Sequence, residues 1–192
     1  MSRWEPDARE RFVAAALELF TDQGYDETTV AQIAERAGLT KSTFFRHFSD
    51  KREVLAAGQE TLSRLFAEGI AAAPSGVSPL SAVAAGLANA ASAMTPFNRE
   101  LAPRLEAVIA TSKELQDRAA LKQVGMALAM ADTLRARGVQ SQVASTAAEL
   151  GVLAFKEAFA VWIADGPDGE AELATLLRDA LERLRCAVAQ LG

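Results

Sequence analysis

Six chemically capable side chains crowd one short stretch: Lys41, Ser42, Thr43, Phe45, Arg46 and His47. Between them, Phe44 and Phe48 stand four apart, the spacing of one inner helix face. Cations, hydroxyls, an aromatic ring and an imidazole on an outer face suit a polyanion and the edges of its bases. Eight helical residues span about 12 Å, which fits a major groove about 12 Å wide. Lys41 suits a guanine edge or a phosphate, and Thr43 a thymine methyl or a phosphate. Thr40 caps the start of this helix and suits a phosphate, as does Lys51 at the start of the next. Phe45 offers either a platform on the phosphate side or exposed packing. Arg46 either touches DNA or pairs with an acidic neighbour. His47 suits a contact to the DNA backbone.

Other chemistries lack their parts. His47 is the one histidine in the chain and Cys186 the one cysteine. No histidine-rich or cysteine-rich metal site can be assembled from them. There is no HExxH run and no carboxylate pair in an ExxH setting. Cys186 lies near Arg183 and Arg185 but reads as an inert late-helix thiol rather than a redox sensor. The expectation is a protein without catalytic activity, metal or cofactor.

The elements that position these residues are helices. The chain has 192 residues, 50% hydrophobic and 23% charged, enough for one or two domains with a sizeable core. Alanine and leucine dominate, which favours helix nearly throughout. The spacing predicts helices over about 7–23, 30–37, 41–48 and 50–72. Further helices are expected near 80–94, 99–109, 113–137, 141–163 and 170–190. Thr29 with Gln32 makes a capping box for the second, and Gly38 supplies the tight turn before Thr40. The fold class is all-α. Residues 1–50 are expected to form a helix-turn-helix DNA-binding domain, and residues 51–192 a second helical domain, the one expected to hold any effector site and dimer contact. The fourth helix connects the two.

The net charge is -5, which argues weakly against nucleic acid. Its distribution reverses that reading: Lys41, Arg46, Lys51 and Arg52 face only Asp50 within residues 41–52. No apolar run is long and uncharged enough for a membrane span. The opening residues lack the apolar core of a secretory signal, so a cytoplasmic location is expected.

Residues from about Arg9 to Leu55 closely resemble the N-terminal domain of the TetR family of bacterial transcriptional repressors. The resemblance runs through "AALELFTDQGYDETTVAQIAERAGLTKSTFFRHFSDKREVL" and is most specific in "TVAQIAERAGLTKSTFFRHFSDK". It implies a homodimer that binds a pseudo-palindromic double-stranded operator through paired recognition helices. By position it makes Thr40 to His47 the reading residues and Lys51 the phosphate-binding lysine. It also implies a small-molecule effector whose binding shifts the fourth helix, spreads the reading heads and releases DNA. One departure is visible: the family usually has tyrosine where this chain has Phe45.

The C-terminal stretch gives weaker signals. Met94, Phe97, Leu101, Leu105, Met126, Met130, Phe155, Phe159 and Trp162 are candidates to line an effector cavity. Methionine and aromatic rings suit a largely apolar ligand. Asn98, Glu106, Thr111 and Glu149 are polar groups that could orient it. Leu150, Leu153, Ala154, Ala158, Leu173, Leu177, Leu181 and Leu184 form wide stripes on the last two helices, suited to a four-helix dimer interface. Ordinary packing within one chain suits them too. A ligand-responsive repressor is the leading function. A TetR-like activator, and a helical interaction protein with a degenerate DNA-binding head, are the alternatives.

Overall fold

Asp7 opens the first helix by accepting the Glu10 amide at 2.9 Å. The computed structural model describes residues 7–56, 59–166 and 169–191. Among them the element order is α1 (Ala8–Gln23), α2 (Val30–Arg36), α3 (Lys41–His47), α4 (Lys51–Ala56) and α5 (Gln59–Ala72). Then follow α6 (Pro79–Ser92), α7 (Pro96–Ala110), α8 (Lys113–Ala136), α9 (Ser141–Ala164) and α10 (Leu173–Ala189). No strand occurs among the described residues, and the fold is all-α. The helix expected over 50–72 appears as α4 and α5; its continuity through Ala57 and Gly58 lies outside the described residues.

The chain divides into two compact units, Met1–Gly58 with Leu101–Gln116, and Gln59–Glu100 with Asp117–Gly192. The first contains a small aromatic core. Phe12 of α1 meets Phe44 of α3 edge to face at 5.2 Å, and Phe48 lies 5.3 Å from Phe44. All three rings are buried, with Leu17, Phe20 and Ile33. Burying each such side chain contributes about 1.5–3 kcal/mol before entropy is counted, so α3 is anchored by its own Phe44 and by Phe48, the residue that caps its end. The turn between α2 and α3 closes at Gly38 (φ 64°), a conformation that side chains disfavour. The Arg11 guanidinium secures it by donating to the Ala37 carbonyl at 2.6 Å.

In the second unit α5 and α6 touch backbone to backbone. A Cβ on Gly69 would sit 2.7 Å from the Ala85 carbonyl oxygen, and one on Gly86 would sit 2.7 Å from that of Phe66. Only glycine permits that approach. Asn89 reinforces it, donating to the Leu65 carbonyl at 2.7 Å. Arg137, just past α8, donates to the carbonyls of Ala71, Ala73 and Pro74 at 2.8–3.0 Å. These are carbonyls at the end of α5, where a cation suits the helix dipole.

Two helix starts differ from the expected ones. Helix α7 begins at Pro96, not near Arg99, because Pro96 occupies the first turn, where a missing N–H costs nothing. Its cap pairs Thr95 with Asn98: the Asn98 carbonyl oxygen accepts the Thr95 amide at 2.9 Å. Asn98 is therefore occupied as a cap. Helix α10 starts at Leu173, about three residues later than expected.

Candidate nucleic-acid interface

The capping box predicted for α2 is present. Thr29 accepts the Gln32 amide at 3.3 Å, and the Gln32 side chain accepts the Thr29 amide at 2.8 Å. Thr40 caps α3 in the same way, accepting the Thr43 amide at 3.1 Å. The two hydroxyls lie 2.9 Å apart, and Arg46 donates to Thr43 Oγ1 at 3.3 Å. Cap, hydroxyl and guanidinium thus form a chain along one side of the reading helix. Arg46 bonds its own helix rather than an acid, and stays exposed.

With Phe44 and Phe48 turned inward, Thr40, Lys41, Ser42, Phe45, Arg46 and His47 are exposed and Thr43 is half-buried. Phe45 is 57% exposed, a large apolar face on an otherwise polar surface. The His47 ring lies 6.2 Å from that of Phe12, which fixes its flank against the core.

Lys51 makes contacts within the head that its sequence position does not reveal. Its ammonium is turned inward and donates to the carbonyls of Tyr25 at 2.7 Å, Thr28 at 2.9 Å and Asp26 at 3.1 Å. It also lies 4.4 Å from the centre of the Tyr25 ring. Tyr25, Val30, Asp50, Lys51 and Arg52 line a shallow cavity of about 370 Å³.

The corner between α3 and α4 is tied by carboxylates. Asp50 accepts the amides of Arg52 at 2.7 Å and Glu53 at 3.0 Å, and its other oxygen takes the Arg52 side chain. Burial pushes the Asp50 carboxyl up, but the Arg52 side chain and the two amides outweigh it and hold the group below its ordinary 3.8. The Ser49 amide, bonded to Glu53, holds that carboxyl below its ordinary 4.5. A lowered folded-state pKa means that the stabilisation is complete above the ordinary value and is lost as pH falls through the lowered one. The head should therefore show no fall in its thermal midpoint from neutral pH down to the ordinary carboxylate range, and lose the contribution of these two groups below it. Circular dichroism melts across that range test this; a midpoint already falling between pH 7 and 5 would contradict it.

In the second unit the structure gathers only part of the expected effector lining. Phe66, Phe155, Phe159 and Trp162 follow one another at ring separations of 5.3, 5.4 and 5.6 Å. Met126 and Met130 are buried, Met94 and Phe97 half-buried. Leu101 and Leu105 fall in the other unit. Arg99, absent from the sequence expectations, is 6% exposed. It donates to the Trp162 carbonyl at 2.9 Å, the Gly169 carbonyl at 2.6 Å and Asp165 Oδ2 at 2.8 Å.

The expected dimer stripe needs correction. Ala154, Ala158, Leu173, Leu177 and Leu181 are buried within their own protomer. They have almost no surface left to give a partner. Leu150 and Leu184 are half-buried, and Leu153 is 41% exposed. On and just after these two helices the large apolar groups left open are Val143, Leu153 and Val161 on α9, Val188 on α10 and Leu191 just past it.

A capped helix, a tight turn and a second helix that shows cations and hydroxyls outward define a helix-turn-helix head, of the kind that places its second helix in a DNA groove. Residues 12–57 match the model for bacterial regulatory proteins of the tetR family. The head of this chain is thus similar to that of the TetR family of regulators. The regulator TcmR of Streptomyces glaucescens is 41% identical over 75 residues, covering 39% of this chain and 33% of TcmR. SrpR of Pseudomonas putida is 45% identical over 51 residues, covering 27% of this chain and 24% of SrpR. The matches thus span only a quarter to a third of those relatives. A crystal structure of the regulator FadR from Bacillus subtilis, in complex with stearoyl-CoA, superposes with a TM-score of 0.59 at 18% identity. It covers 90% of this chain and 95% of FadR, so the likeness in fold extends through the C-terminal bundle. Among the described residues no helix is long and apolar enough to cross a membrane.

Proposed function

We propose that this chain is a transcriptional repressor that binds a pseudo-palindromic operator as a homodimer and is released by a small, largely apolar effector. The observation that carries the DNA-binding part is the division of α3. Phe44 and Phe48 lock the helix into the core, while Lys41, Ser42, Phe45, Arg46 and His47 stand outward. A reading helix must be rigid on one side and chemically diverse on the other.

Dimerisation is supported by the apolar stripe of α10. Leu173, Leu177 and Leu181 spend it on the protomer's own core, but Leu184 and Val188, with Leu191 just past the helix, carry it beyond that core. With Leu150, Leu153 and Val161 of α9, they offer the partner an apolar face. For the effector, the aromatic row on α9 favours an apolar ligand. FadR is bound to stearoyl-CoA, which makes a saturated acyl-CoA the first probe for displacement of DNA.

Selection of genomic fragments by the purified protein, read by sequencing at moderate salt, tests the reading. Enrichment of a pseudo-palindromic site supports it, and no enrichment by a folded dimer overturns it. On that site Lys41→Ala and Arg46→Ala should each weaken specific binding roughly tenfold or more, the worth of one good base or phosphate contact. Parental affinity in both variants would mean that α3 docks otherwise.

A further inference from the structure

One outward side chain of α3 has no hydrogen-bonding group. Lys41, Ser42, Arg46 and His47 are exposed and polar, whereas Phe45 shows 57% of an apolar ring among them. The ring is seated on the core: it stands edge-on to Phe44, with centroids 5.6 Å apart and planes at 86°. Phe44 is itself fully buried against Phe12 and Phe48. Successive helical residues turn by about 100°, so Phe45 lies on the opposite flank from Thr43, two positions back. The hydrogen-bonded chain of Thr40, Thr43 and Arg46 follows that other flank. The reading helix thus carries a polar flank and, opposite it, one rigid apolar spot.

A duplex has few places for such a ring. Its bases are stacked, so their faces are closed. Phosphate oxygens call for a donor, which phenylalanine lacks. Deoxyribose edges are alike at every step. In the major groove one apolar group depends on sequence, the C5-methyl of thymine. We infer that Phe45 is a specificity-determining residue that reads the C5-methyl of one thymine in each half-site. This rests on the proposed DNA-binding function and adds a base preference to it. The missing hydroxyl suits the role, because an all-carbon ring that covers a methyl buries no unpaired polar group.

The test replaces each thymine of the selected operator in turn by uracil, symmetrically in both half-sites, and measures binding of the parent, Phe45→Ala and Phe45→Gln. Uracil keeps every pairing group and lacks only the methyl. At one position the exchange should weaken parental binding roughly fourfold per half-site, the worth of one buried methyl group. Both variants should bind the unmodified operator more weakly and be indifferent to uracil at that position. Their salt slope should stay parental, because no charge is lost. The ring is more exposed than buried, so both should fold, as circular dichroism will show, and either one decides. The inference is overturned if uracil is neutral at every position in the parent, which would leave the ring on sugar edges. It is equally overturned if the penalty survives intact in the variants, which would give the methyl to another side chain such as Thr43. If the parent selects no DNA, the DNA-binding reading fails and takes this one with it. A selected operator without a methyl effect sinks this inference alone.

Discussion

A Leu177→Glu variant is expected to lose the cooperative fold of the C-terminal bundle, whereas Val161→Glu is expected to keep it and to run as a monomer. Leu177 is 1% exposed in the isolated protomer. Losing its side chain alone costs about 2–5 kcal/mol, and an unpaired buried carboxylate adds several more. That approaches the whole stability of an ordinary domain, about 5–15 kcal/mol. Val161, 52% exposed, has no such role within the protomer, so a charge there acts on the partner surface. Light scattering and circular dichroism on the two variants separate the roles. A folded monomer from Leu177→Glu together with a dimer from Val161→Glu would exchange the two surfaces and defeat the proposed interface.

The second large effect is expected at Arg99. Truncation to alanine removes the buried guanidinium and its packing over the Trp162 ring, 5.2 Å away. It leaves the carbonyls of Trp162 and Gly169 without their donor. Each hydrogen bond to a charged group contributes about 1.5–3 kcal/mol, so losing those to the two carbonyls should show as a clearly lowered urea midpoint with an unchanged slope. Asp165→Asn should cost far less. Asp165 is exposed and its retained carbonyl oxygen can still accept the Ala171 amide, which bonds Oδ2 at 3.0 Å. That amide, followed by Arg99, holds the Asp165 carboxyl below its ordinary value. Its contribution is therefore present at neutral pH and lost only as pH falls through the lowered pKa. Equal losses from Arg99→Ala and Asp165→Asn would place the energy in the ion pair rather than in the carbonyl bonds.

These two sites mark where sequence reasoning stopped. The head was readable because its signals are local. Thr29 with Gln32, Gly38, and Phe44 with Phe48 each act within a few residues, and the all-α class follows from such spacings. Arg99 was not readable: its partners lie 63–70 residues away, and an arginine in a polar stretch looks like a solvated one. The carbonyl contacts of Lys51 are hidden for the same reason, its partners being 23–26 residues back. On α10 periodicity correctly marked an apolar stripe. It could not tell that Leu177 packs within the protomer while Val188 stays open, because a helical repeat carries no record of whose core it enters. The spacing places the start of α7 near residue 99 rather than at Pro96, because a proline that ends one helix and a proline that starts the next look alike until the Thr95–Asn98 cap is seen.

Four corners of the molecule are fastened by a cation holding main-chain oxygens: Arg11 on Ala37, Lys51 on the 25–28 turn, Arg99 on Trp162 and Gly169, and Arg137 on the end of α5. A peptide carbonyl is the same whatever side chain its residue carries. Such a corner can therefore accept many residues without loosening, provided that the chain path survives, while the single cation has few substitutes. Random substitution across these loops should reveal steep asymmetry, with broad tolerance at Asp26, Ala71 and Pro74 beside near-intolerance at Lys51, Arg99 and Arg137. A fold built this way can vary its turns freely under drift while its geometry stays pinned to a few long basic side chains.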